Sequence, residues 1–129
     1  EYEVVDGRFI VYGRLDGFPI GGNGGIERRG IEKVLENADL SLPVIVLDHN
    51  PQDVDSYDEK TDLVLSGHTH KGQLFPFEFV TDRMFPVDYG YYRRDENAPH
   101  VVVSSGAGAW GMPMRVGTDC EVVTINMHN

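Results

Sequence analysis

Leu63-Val64-Leu65-Ser66-Gly67-His68-Thr69-His70-Lys71-Gly72-Gln73 carries an apolar strand into a glycine-flanked turn that holds two imidazoles one residue apart. In extended backbone alternate side chains point the same way, so His68 and His70 are expected to face one ion or a close pair while Thr69 faces away. Gly67 and Gly72 let the backbone approach what is bound. A second apolar run, Val44-Ile45-Val46-Leu47, ends in Asp48-His49-Asn50-Pro51. Two buried-strand patterns thus each finish in histidine. As neighbouring parallel strands they would bring those ends to one sheet edge, where open α/β sheets hold their ligands.

The 129 residues fit one domain, residues 1–129, and folding buries roughly two-thirds of the extended surface, enough for a core. Hydrophobic content of 40% and charged content of 25% are those of a globular chain, and 15 glycines imply tight turns rather than long helices. With 21 acidic against 11 basic residues the net charge is -10, a field that repels nucleic acid and anionic membrane surfaces. A phosphate substrate would need local help from metal ions or a few arginines. The single cysteine, Cys120, has no internal partner and reads as a small core residue of a strand-like run. No apolar run reaches the roughly 20 residues of a membrane span, and no basic-then-apolar signal region opens the chain. Glu1-Tyr2-Glu3-Val4-Val5 reads as a strand in progress, which suggests the later part of a longer protein.

Working outward, Tyr2 to Val5 and Arg8 to Tyr12 predict a hairpin across Asp6-Gly7. The glycine-rich run from Gly21 to Gly25 reads as a flexible loop, since it lacks the Gly-Lys-Ser/Thr ending of a phosphate loop. Ile26, Ile31, Val34 and Leu35 then predict a helix through about Ala38. Gln52 to Lys60 is a polar loop or short helix, and Tyr89 to Arg94, His100 to Ser104 and Glu121 to Ile125 are further strands. Prolines and aromatics break the pattern between Phe75 and Asn97. The picture is a strand-rich α/β domain.

The chemistry concentrates on His49, His68 and His70, three neutral donors suited to zinc, iron or manganese. Asp48 either orients a histidine or is simply a strand-end carboxylate. The loop from Gly106 to Arg115 either cradles an anion, with Arg115 as a forked donor and possible phosphate contact, or is a connection whose arginine pairs with an acidic neighbour. His100 and His128 read as structural or solvent-exposed, and Arg93-Arg94 as a solvated strand face.

Leu47-Asp48-His49-Asn50-Pro51, then Asp62 through Gly67-His68-Thr69-His70-Lys71-Gly72-Gln73, closely resembles calcineurin-like metallophosphoesterases, nearest to a bacterial phosphohydrolase branch. The resemblance continues through Ser104-Ser105-Gly106-Ala107-Gly108 and Pro113-Met114-Arg115, so it runs from about His49 to the end. It implies part of a four-layer β-sandwich with a mixed sheet, flanked by helices. It further implies a two-metal centre of Mn, Fe, Zn or similar ions, in which His49 and His68 ligate one ion and His70 the other. The implied activity is hydrolysis of a phosphomonoester or phosphodiester by a metal-activated hydroxide.

The family's Asp-x-His, Gly-Asp and Gly-Asn-His motifs are absent. Asn23 stands in Gly-Asn-Gly, and Lys71 replaces a glycine common in that branch. The chain is therefore expected to be the C-terminal half of such an enzyme, inactive alone and holding one ion or none. It would self-associate through the apolar face the other half would cover. A noncatalytic metal-binding or interaction module of the same fold is the alternative. Nucleic acid is not an expected partner. Location stays open between cytoplasm and a membrane reached through a missing N-terminal region.

Overall fold

A computed structural model describes residues 2–17, 22 and 24–128. Tyr2–Val5 (β1) and Phe9–Arg14 (β2) form the expected antiparallel hairpin, with Val5 opposite Phe9 across a turn at Asp6-Gly7-Arg8. Asp6 and Gly7 both take positive φ there, a conformation that aspartate and glycine tolerate best. β2 runs past Tyr12 because its other edge pairs in parallel with Val44–Asp48 (β3). Leu63–Ser66 (β4) lies parallel beside β3, followed by His100–Val103 (β6), while Gly90–Tyr92 (β5) closes the edge antiparallel. The single mixed sheet has the order β1-β2-β3-β4-β6-β5, an α/β arrangement with few helices. No described helix is long and apolar enough to cross a membrane.

The two faces of the sheet differ. Ile10, Tyr12, Val44, Val46, Val64, Val101 and Val103 point to one side and are buried with Leu35, Val54 and Tyr57. The cover comes from a short helix, Ile31–Val34 (α1), and a 3₁₀ segment, Pro51–Ser56, whose first turn is capped by the Asn50 side chain accepting from the Gln52 N–H. On the other side the register aligns Leu47, Leu65, Val102 and Tyr91 in one row. Leu47 and Tyr91 are exposed and the other two half-buried, so this row is an apolar stripe.

Three expectations change, and a fourth lies partly outside the described residues. The helix read from Ile26 to Ala38 is only four residues, because Ile26 is exposed and Gly30 caps α1 without a side-chain bond. The glycine-rich run lies partly outside the described residues; Gly24 and Gly25 form a turn. Glu121 to Ile125 is no strand: β5 already occupies the outer edge of β6, so that run has no sheet edge there to join. Cys120, in the same stretch, is exposed rather than core. A helix over Glu78–Met84 (α2) forms where only prolines and aromatics were legible. None of its residues is buried, and it therefore carries no amphipathic pattern to read.

Candidate metal centre

Parallel pairing makes three strands end on one edge. Asp16 lies two residues beyond β2, His49 directly follows β3, and His68 lies two residues beyond β4. One ligand atom from each of Asp16, His49 and His68 falls within 4.8 Å of the others. His68 Nδ1 and His49 Nε2 are 3.3 Å apart, with the rings edge to face at 87°. Two nitrogens bound to one tetrahedral ion at about 2.1 Å would stand about 3.4 Å apart, so the pair has the spacing an ion requires. Asp16 adds the negative charge that two neutral imidazoles lack.

The double-histidine turn is not extended, as alternation required, but left-handed: φ is 67° at His68, 51° at His70, 51° at Lys71 and 55° at Gln73. Such angles are uncommon away from glycine and gather at functional turns. Thr69 is buried and holds the turn by donating to the Asp88 carbonyl at 2.6 Å and accepting from the Lys71 N–H at 3.2 Å. The consequence is that His68 reaches His49, whereas His70 swings toward the glycine loop. His70 Nδ1 lies 3.1 Å from the Arg115 guanidinium. Burial, then Arg115, then His49 and His68 lower the His70 pKa; burial first and His49 second lower that of His68. Both rings thus favour the neutral form a metal ligand needs.

Arg115 also donates to the carbonyls of Ser105 at 2.6 Å, His70 at 3.2 Å and, through Nε, Gly108 at 3.1 Å. It clamps the glycine loop against His70, and backbone carbonyls rather than an acidic neighbour receive its protons. Lys71 places its ammonium 4.3 Å above the Tyr89 ring, and Tyr89 donates to Glu121 at 3.0 Å. His100 pairs with Tyr91 on the edge strand at 2.9 Å.

Asp48 orients no histidine. Fully buried, it accepts from Tyr57 at 2.7 Å, Arg14 at 3.1 Å and both terminal nitrogens of Arg28 at 3.1 and 3.0 Å. Asp16 is the site residue the sequence reading passed over. Its signal is the one that marked the histidines, a polar ligand just after an apolar strand, and it was hidden by ending β2 at Tyr12.

No family model and no solved structure matches the chain. Among curated proteins, a Helicobacter pylori uncharacterized metallophosphoesterase is 39% identical over 99 residues, covering 75% of this chain and 26% of its own. An Aquifex aeolicus uncharacterized metallophosphoesterase is 39% identical over 98 residues, covering 74% and 36%. The zebrafish Transmembrane protein with metallophosphoesterase domain is likewise 39% identical over 98 residues, covering 74% and 22%. The chain spans only about a quarter to a third of such relatives. Similarity to these proteins, together with histidines converging at parallel strand ends, shows that the chain belongs to the metallophosphoesterase family.

Proposed function

We propose that this chain forms part of a metal-dependent phosphoesterase that hydrolyses a phosphomonoester or phosphodiester. The observation that carries the reading is the 3.3 Å approach of His49 and His68 beside Asp16 at one sheet edge. Asp16, His49 and His68 would hold one divalent ion, and His70 would serve a second together with ligands supplied from outside these residues. When bound, the ions would supply Lewis acidity, activating water and offsetting charge on the phosphoryl oxygens. The chain's own part is to present imidazoles from His49 and His68 at one sheet edge and to hold the His70 turn through Thr69 and Arg115. A noncatalytic metal-binding module would use the same three ligands.

Calorimetric titration with zinc or manganese tests the site. One divalent ion is expected to bind, weakened by His49→Ala or His68→Ala by at least the roughly 10–100-fold that loss of a ligand's supporting partner already costs. Absence of binding, or binding indifferent to both changes, would remove the metal centre. Hydrolysis of a chromogenic phosphodiester separates the two readings. The chain alone should be nearly inert, and a longer chain that supplies the Asp-x-His, Gly-Asp and Gly-Asn-His motifs should turn over only if the phosphoesterase reading holds.

A further inference from the structure

Arg115 reaches His70 at two points. Its Nη1 donates to the His70 carbonyl at 3.2 Å, and its Nη2 stands 3.1 Å from the ring Nδ1. The same guanidinium donates to the carbonyls of Ser105 at 2.6 Å and Gly106 at 3.4 Å, and to that of Gly108 through both Nε and Nη2. No carboxylate among the described residues forms an ion pair with it. Its charge is met by carbonyl dipoles and one imidazole nitrogen, donors of the kind that metal cations also take.

A guanidinium only donates, so the His70 nitrogen that faces it carries a lone pair rather than a proton. In a neutral imidazole the proton is then on Nε2, since an N–H at Nδ1 would set donor against donor across 3.1 Å. Neither ring nitrogen is open to a cation in that state. Coordination through Nδ1 requires the guanidinium to leave. Coordination through Nε2 requires the proton there to be lost and one to be taken up at Nδ1, which turns Nδ1 into a donor facing Arg115, so the guanidinium must leave again. The ring keeps one proton either way. His68 Nδ1 and His49 Nε2 face each other instead, with no guanidinium between them. We propose that Arg115 is a latch on His70, a built-in cation that must be displaced before that side chain can coordinate one. The site would then fill in order, the group of Asp16, His49 and His68 first and His70 second. The hold on His70 rests on the Arg115 contact alone; the order of filling rests on the metal reading above.

Two-bond proton–nitrogen correlation spectra of the full chain read which nitrogen of each imidazole bears the proton. Without metal and near neutral pH, His70 is expected in the Nε2–H form throughout. Arg115→Met removes the donor and should let the Nδ1–H form appear. Arg115→Lys keeps a donor and should hold the Nε2–H form although it loses the fork to the carbonyls, so the readout follows the bond to the ring and not the shape of the loop. A protonated Nδ1 in the unaltered chain, or a ring indifferent to Arg115→Met, overturns the proposal. Zinc is then added to both proteins. In the unaltered chain His70 should stay still while His49 and His68 saturate, and any later response should carry the Arg115 Nε resonance with it. In Arg115→Met the zinc needed to move His70 should fall about tenfold or more, the equivalent of one hydrogen bond to a charged group. A His70 response with Arg115 unmoved, or no gain in Arg115→Met, overturns the latch. Silence at His49 and His68 would instead remove the metal centre and the order of filling, while the metal-free spectra still decide the hold on His70.

Discussion

Asp48 is fully buried, and two guanidinium groups and a phenol surround its carboxyl group. Burial, and then Asp48 itself, pushes the Tyr57 hydroxyl well above the ordinary tyrosine range, which keeps that phenol a donor. Removing the carboxylate leaves the half-exposed Asp53 as the remaining acidic partner of Arg14 and Arg28 among the described residues. Asp48→Ala should therefore cost about 3 kcal/mol, read from urea unfolding. The histidines give a pH prediction of definite sign. His68 and His70 have folded pKa values below the ordinary 6.5, so above that value neither folded nor unfolded chain is protonated there and nothing is lost. As pH falls below it the unfolded chain binds protons first, and stability drops through the window down to the depressed values. The urea midpoint should fall between pH 7.5 and pH 5.5, and His68→Gln with His70→Gln should flatten that dependence.

At the scale of elements, the His70 turn and α2 are one unit because only a glycine lets them touch. Gly72→Ala meets the backbone of Phe77 and Glu78 within 2.7 Å at a φ that alanine resists. It should destabilise by more than about 2 kcal/mol and loosen metal binding together with the fold, checked by thermal unfolding and metal titration on the same sample. The same unit shows what a single sequence can disclose. The buried strands were legible because Val44 to Leu47 and Leu63 to Leu65 are uninterrupted apolar runs, and the histidines after them stand out against that background. The direction of His70 was not legible, for it depends on left-handed angles at His68 and His70 and on Arg115, 45 residues away. Asp16 was missed for a related reason. A hairpin pattern names β2's antiparallel neighbour, but only the parallel pairing of Arg14 with Asp48 shows that β2 also points at the metal edge.

For the whole molecule, the row of Leu47, Leu65, Val102 and Tyr91, exposed at its two ends and half-buried between, is expected to bear on behaviour in solution. Apolar surface of this kind binds environment-sensitive dyes and seeks a cover. Each copy carries a net charge of -10, so association through this face should strengthen as added salt screens the repulsion. Leu47→Gln with Leu65→Gln should weaken it about tenfold in sedimentation, while a monomer with no dye binding at high salt would rule the contact out.

The shared direction of β2, β3, β4 and β6 also decides how the molecule can be attached to a support. Every strand that leads to chemistry empties onto the histidine edge, and the opposite rim, around Glu59, Asp62 and Asn97, is left for a handle. A thiol introduced as Asn97→Cys and coupled to a resin would hold each copy with its imidazoles facing the bulk liquid. The native thiol at Cys120, beside the glycine loop, would anchor the molecules the other way up, and Cys120→Ser is the change that makes such a layer uniform.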